Sequence, residues 1–535
     1  MLQKKCRELN KRRMTVLLLI VTLGVLAFGI SGPVMAVEIP VLEGQAIESA
    51  KDVLPEAQLA GIWSLEHILQ VALANGPSVK IADWELREAL AGRQEVDAAL
   101  KPQLSLAGQH KVENLVNNPA VLQGILGKSP GPLDPDERMS TTIGSLTYYQ
   151  QLAPTAQLRG LTKQAEIGAE IAALRREQAR KDLVVTVQSG YYDVLKAYNG
   201  LCLAGEARQH AKLNLETAED QLNLGTVTPL DVLRERNAYL EAEMHVQAAT
   251  MGLELATLAL LQNMGLGNAK LDTALAWAEQ LAEKQDLVVN PWTIGLDAAY
   301  AYTLEHRPEL AMVRKQRKMA ETAYTTVKED RDWTIKLAGQ YQPDDDTILQ
   351  SSVDSKLALM GTVVRTKVDM PEILRQDSSQ TQDLPFDTDP WQIELSASYR
   401  FGDGGARKAK LKAKEAAVEK AKLQEEMAKD GFYLDLNSRL QQLDQAWRAH
   451  ELALEGEKAA RETFEQLSLL YGLGSVTGKE VREGRLMVLQ AQNRVLDTGL
   501  ACEASKSKVA VAMGIDVETL IRVLGQNKWD GLLEN

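Results

Sequence analysis

Groups that ionise, hold metals or act as nucleophiles are present throughout these 535 residues, but they do not converge. The six histidines (67, 110, 210, 245, 306 and 450) are scattered, with no pair at the helical spacing that would place two imidazoles around one metal. No P-loop motif and no Cys–His pairing occur. "FGDGG" (401–405) is too short to cradle a phosphate. "PDDDT" (343–347) offers carboxylates to a cation but lacks ligand spacing, and reads as a solvated loop. The expectation is therefore no enzyme, no cofactor and no metal. The acids worth following sit in two related decamers, "LGTVTPLDVL" (224–233) and "LGSVTGKEVR" (473–482). These share Leu, Gly, Val, Thr and a later Val in register, and Asp231 aligns with Glu480. Both acids stand where a helix begins, and a helix N-terminus favours negative charge. Glu483 differs, because its counterpart is Arg234.

The decamers are part of a duplication. At an offset of 249 the match runs to the end of each half: Leu240 meets Leu489, Ala242 meets Ala491, and "MG" at 264–265 meets "MG" at 513–514. Backwards, Val187, Tyr191, Val194, Tyr198 and Leu201 meet Leu436, Leu440, Leu443, Trp447 and His450. Apolar spacing that alternates four and three is a coiled-coil seam. At an offset of 231, "SLEHILQVALANGPSV" (64–79) meets "GLDAAYAYTLEHRPEL" (295–310), and "LAGQ" recurs at 106–109 and 337–340. Each half thus reads as helix, short strand, variable loop, short strand, very long helix, tight turn, helix. Residues 156–222 contain no Pro and predict ~100 Å of rod at ~1.5 Å per residue; 406–470 predict a similar one. Gly225 and Gly474 suit helix ends, and Thr228 and Thr477 suit the caps of the returning helices. The decamers are predicted to be the tips of two helical hairpins.

The N-terminus carries an address. Six basic residues, the apolar run "TVLLLIVTLGVLAFGI" (15–30) and the small residues of "VMA" (34–36) make 1–36 a signal peptide cleaved after Ala36. Its loss removes six of 60 basic residues and one of 73 acidic ones, leaving 54 against 72, a net charge of −18. Such a chain repels nucleic acid. Cys6 leaves with the signal and no Cys marks the cleavage site, so no lipid anchor is expected there. Cys202 and Cys502 remain, and read as inert helix thiols rather than a disulfide framework. Past the signal no uninterrupted apolar run of ~18 residues predicts a membrane helix. In "WQIELSASYRF" (391–401), Trp391, Ile393, Leu395, Ala397, Tyr399 and Phe401 share one face, with polar residues on the other. Eleven tilted residues match a membrane-spanning β-strand. Strands are predicted at about 104–115, 141–152, 335–342 and 391–401, with polar outer loops at 116–142 and 342–390. Four strands cannot close a barrel alone, since about eight are needed. The rival is an exported coiled-coil spacer or adhesin with a small wet sheet.

The segments "SLEHILQVALANGPSV", "FGDGG" and the two tips, in this order and duplicated behind a signal peptide, resemble the outer-membrane efflux proteins, the TolC-like channel family. The resemblance spans about 60–515. It implies a mainly α fold with a small β part: a long coiled-coil helical barrel, internally duplicated, and four strands per chain in a twelve-stranded transmembrane barrel of a homotrimer. The parts are then the signal peptide (1–36), a first repeat (37–265, tip 224–230), an equatorial linker (266–294), a second repeat (295–514, tip 473–479) and an equatorial tail (515–535). The helices of 64–101 and 229–263 are expected to stack end to end as one rod. The implied role is an outer-membrane channel with a long periplasmic extension, exporting small molecules or proteins. Its implied partners are outer-membrane lipid, a periplasmic membrane-fusion adaptor and an inner-membrane pump of RND, ABC or MFS type, which largely chooses the substrate. The tips Leu224, Gly225 and Thr226, and Leu473, Gly474 and Ser475, match the adaptor-docking turns, with Leu for Val. Glu480 and Glu483 match acids that ring the entrance, and three copies of each favour cations. Asp231 and Tyr471 match positions that hold the entrance closed, while Val476 replaces the basic partner.

Overall fold

The computed structural model describes residues 64–114, 138–268, 271–283, 289–330, 333–344, 346–369, 391–399, 402–526 and 528–529. Contacts divide the chain into Met1–Ala57, outside those residues, and Gln58–Asn535. The signal segment, Phe401, residues 116–137 of the first expected outer loop and residues 370–390 of the second also lie outside them.

In chain order the elements are α1 (Leu65–Asn75), α2 (Pro77–Ala98), β1 (Gln103–Asn114), β2 (Arg138–Gln151), α3 (Ala156–Asn223), α4 (Pro229–Asn263), α5 (Leu271–Glu283), α6 (Leu296–His306), α7 (Pro308–Glu329), β3 (Trp333–Asp344), β4 (Thr347–Asp354), β5 (Ala358–Asp369), β6 (Trp391–Tyr399), α8 (Ala406–Gly472), α9 (Gly478–Met513) and α10 (Val517–Gln526). Ala, Leu, Glu, Lys, Gln and Arg dominate α3 and α8, and these good helix formers sustain 68 and 67 residues without a break. The long helices pack on their returning partners, α3 on α4 and α8 on α9. Beyond those partners α3 continues along α2, and α8 along α7.

Two glycines make the shorter helices add up to a rod. Gly265 (φ +77°) and Gly514 (φ +90°) close α4 and α9 in the left-handed region. A Cβ at Gly265 would stand 2.3 Å from the Asn75 carbonyl oxygen, and one at Gly514 2.6 Å from that of His306. Only glycine lets these helix ends abut the α1–α2 and α6–α7 junctions. Lys181, 1% exposed, donates to the Gly514 carbonyl oxygen at 2.9 Å, placing a cation at a helix C-terminus. Side by side the rods run α2 with α4, then α3, then α7 with α9, then α8: α3 touches α7 and α9, and α7 touches α8.

The main core lies where the predicted seams meet. Val187, Tyr191, Val194, Leu436 and Leu443 are buried there, with Tyr198, Leu201, Leu440 and Trp447 packed against them. The linker and tail close over this region. Trp292 and Trp529 pack with centroids 5.1 Å apart. Beneath them Lys506 donates to the Asn290 carbonyl oxygen and to Glu503 Oε1, both at 2.5 Å, while the Trp529 ring N–H donates to Glu503 Oε2 at 3.1 Å. Burial pushes the Glu503 carboxyl above its ordinary range, with the Lys506 ammonium pulling against it. Cys202 is exposed on α3 and Cys502 buried on α9, with no disulfide between them; burial pushes the Cys502 thiol up to about 11.

The sheet has the order β1-β2-β5-β4-β3-β6, antiparallel throughout. Strands form at all four expected places. The segment read as the loop 342–390 is corrected in part: it holds β4 and β5, a hairpin inserted between β2 and β3. Their apolar pattern is interrupted by Gln350, Ser351 and Ser352 in β4 and by Gly361, Arg365 and Lys367 in β5. Their ladders with β2 and β3, rather than any strong alternation of their own, hold them. "PDDDT" lies at the β3–β4 turn, with Asp345 outside the described residues.

Candidate functional site

The two decamers do form helical-hairpin tips. Leu224 ends α3, Gly225 turns left-handed at φ +71°, and Thr226 donates its N–H back to the Gln221 carbonyl oxygen at 3.0 Å. In the second tip Leu473, Gly474 (φ +69°) and Ser475 repeat this, with Ser475 N–H donating to the Leu470 carbonyl oxygen at 2.9 Å. Both are Schellman turns, which satisfy the last helical carbonyls and expose the residue at the bend. Leu224 is 78% exposed and Leu473 79%. Leu230, Leu233, Leu469 and Tyr471 surround them, also exposed. Sequence reasoning passed over this apolar rim, although the run "LSLLYGLG" (467–474) carried it.

The acids divide by role. Thr228 donates its hydroxyl and N–H to Asp231 Oδ2 at 2.6 and 2.9 Å. Thr477 donates its N–H and hydroxyl to Glu480 Oε2 at 2.6 and 3.0 Å. Each pair is a reciprocal capping box, since the acid's own N–H returns to the threonine oxygen. These bonds hold both carboxyls below their ordinary range, led by the Thr228 hydroxyl at Asp231 and by the Thr477 backbone at Glu480. Glu483 lies one turn further on, exposed, and no partner for its carboxylate is found among the described residues. The geometry therefore does not treat Glu480 and Glu483 alike.

Tyr471 and Asp231 are not bonded to each other within the chain: Asp231 turns to Thr228 and Arg234, the latter at 3.6 Å. The Tyr471 ring instead packs toward Gly478 at the start of α9. What ties the tips together is a pair of contacts without a signature in the sequence. Lys479 donates to Glu235 Oε1 at 2.8 Å, joining the starts of α9 and α4. Glu235 raises the Lys479 ammonium above its ordinary value. Arg482 reaches Asn214 Oδ1 on α3 at 2.7 Å. Partners this far apart in sequence, 244 and 268 residues, leave no local pattern to read. Gly484 lets α9 press on Leu467 and Phe464 of α8 just above the tip.

At the other end of the rods, the register separates two faces of the sheet. Leu104, Leu106, Leu146, Ile393 and Leu395 lie on one, with Tyr148, Tyr399, Tyr341 and Trp391 towards its two ends. Gln103, Ser105, Thr147, Gln340, Gln392 and Glu394 lie on the other. An apolar band between aromatic girdles is the outer surface of a membrane barrel, and a polar opposite face is its lumen.

A profile of the family described as outer membrane efflux protein matches residues 68–266 and 365–514. The solved structure of CusC resembles the chain with a TM-score of 0.57 and 15% identity, covering 84% of this chain and 92% of that one. The Campylobacter jejuni CmeC outer membrane channel gives 0.59 and 14%, covering 86% and 89%. The open state of the Neisseria gonorrhoeae MtrE outer membrane channel gives 0.56 and 15%, covering 84% and 89%. At these identities the likeness concerns the fold. A search of curated proteins returns no match.

Proposed function

The chain belongs to the outer membrane efflux protein family, and we propose that three copies form an export duct docked at its tips to a periplasmic adaptor and an inner-membrane pump. The β-strands sit in the outer membrane and the rods extend through the periplasm. Leu224 and Leu473 carry the reading: two large apolar side chains, 78% and 79% exposed, held out on left-handed turns. An exposed apolar patch of this kind marks an interaction site. The tip of another helical hairpin, itself apolar, is the complementary partner. Glu483, in three copies, supplies fixed negative charge at the entrance and favours cations there.

The test is purification of the mature protein in detergent followed by planar-bilayer recording. A heat-resistant trimer with discrete conductance is expected. A soluble elongated dimer that opens no channel would instead support an exported spacer.

A further inference from the structure

The β4–β5 hairpin occupies the middle of the sheet, yet no helix hangs from it. The other strands each lead into or out of a rod: α2 precedes β1, α3 follows β2, α7 precedes β3 and α8 follows β6. Six strands therefore stand over four rods. A polypeptide inserted in an outer loop would be free to fold back into the lumen as a plug. This one is built into the wall.

The register shows how. Val363 pairs with Leu146, Leu349 with Val363 and Tyr341, and Val353 with Leu359 and Leu337. Leu349, Val353, Leu359 and Val363 thus continue the apolar face of β2 and β3, with Ser351, Gly361 and Arg365 among them, while Ile348, Met360 and Val364 face the other way. On the opposite face Thr362 donates to Thr147 Oγ1 at 3.3 Å, and Gln350 donates to Gln340 Oε1 at 3.3 Å. The turn at 355–357 is bonded on both sides. Ser355 N–H donates to the Ile335 carbonyl oxygen at 2.5 Å, Leu152 N–H donates to that of Leu357 at 2.8 Å, and the buried Gln151 amide donates to that of Lys356.

Width gives an independent argument. Strands ~4.8 Å apart and tilted ~40° each take ~6.3 Å of circumference. Six then span ~38 Å and four only ~25 Å. Four rods at interaxial distances of ~8–10 Å span ~32–40 Å. At this tilt six strands match the helical layer beneath them, whereas four would need a tilt of ~53° or more.

We infer that β4 and β5 are lipid-facing wall strands, so that three chains of six close an eighteen-stranded barrel rather than a twelve-stranded one. The inference rests on the trimeric channel proposed above. Diameter grows with strand number, to a backbone diameter of ~36 Å against ~24 Å for twelve. The outer mouth is then as wide as the tunnel. The hairpin's apolar residues Leu349, Val353, Leu359 and Val363 face acyl chains, because they extend a surface whose other members already do.

Cryo-electron microscopy of the full mature protein in lipid nanodiscs counts the strands directly. Eighteen are expected. Twelve, with 346–366 in the lumen, would overturn the inference and leave the channel intact. Absence of a trimer would remove the channel reading and the inference with it. Bimane labels on single cysteines in a Cys202→Ser, Cys502→Ala background provide a second measure. Leu349→Cys and Val363→Cys should be quenched at least fivefold more by spin-labelled lipid than Ser352→Cys and Thr362→Cys. Equal quenching at all four would also sink the proposal.

Discussion

Glu480 and Glu483 look equivalent as letters and differ as chemistry. Glu480 spends its carboxylate on the Thr477 N–H and hydroxyl, while Glu483 stands exposed beside Lys479 and Arg482. A charge bound into a helix cap has its field partly answered by the donors around it; an unpaired one acts on passing ions. Glu483→Gln should therefore lower the cation preference of the reconstituted channel, read from the reversal potential in a salt gradient, more than Glu480→Gln does. Equal effects would return the two acids to a common role. Gln at 480 also preserves the capping box, so that variant should keep its trimer. That Asp231 and Glu480 correspond was legible from the aligned decamers. Which acid was engaged was not, because a capping box and a pore ring ask for the same residue at the same place.

Among the elements, the glycines at the helix ends bear most on rod continuity. Gly514 allows α9 to meet the α6–α7 junction with a left-handed φ of +90° and the His306 carbonyl oxygen where a Cβ would be. Gly514→Ala meets strain and a backbone clash together and should cost ~1–3 kcal/mol. Gly431→Ala, in the interior of α8 with open space around an added Cβ, should be neutral or stabilising by ~0.5–1 kcal/mol. Thermal melts of the purified trimer compare them. An unchanged midpoint for Gly514→Ala would mean that the helix ends are not in contact. The "MG" match at 264–265 and 513–514 pointed to these glycines, but only the fold gives the reason: each ends one helix against another.

For the whole molecule, the four-rod layer is open, with α2 and α4 on one side and α8 on the other. Both edges carry exposed apolar stripes: Leu240, Met244, Met251 and Leu255 on α4, and Leu423, Met427 and Leu434 on α8. Their spacing of four and seven is that of helices packing side by side. Among the described residues α4 is the helix long and apolar enough to cross a bilayer, and little of its apolar stretch is buried within one chain. A second copy meeting these edges would cover both stripes, as β1 meeting β6 would close the sheet. Met251→Glu together with Leu434→Glu should abolish the detergent-resistant trimer on semi-native gels while far-ultraviolet circular dichroism keeps its helical signal. A trimer that survives both charges would place the subunit contact elsewhere.

The sequence by itself determined the rods, their duplication and their tips. Helical hydrogen bonds join residues four apart, and seams, caps and left-handed glycines are written within a few positions of where they act. Strand β6 was also legible, because its alternation is unbroken. The tertiary structure alone decided that β4 and β5 join the wall, that Lys479 and Arg482 tie the tips together, and that Glu483 rather than Glu480 is left unpaired. Strand ladders and cross-rod bonds join residues up to hundreds of positions apart, so their formation depends on which neighbours the fold delivers.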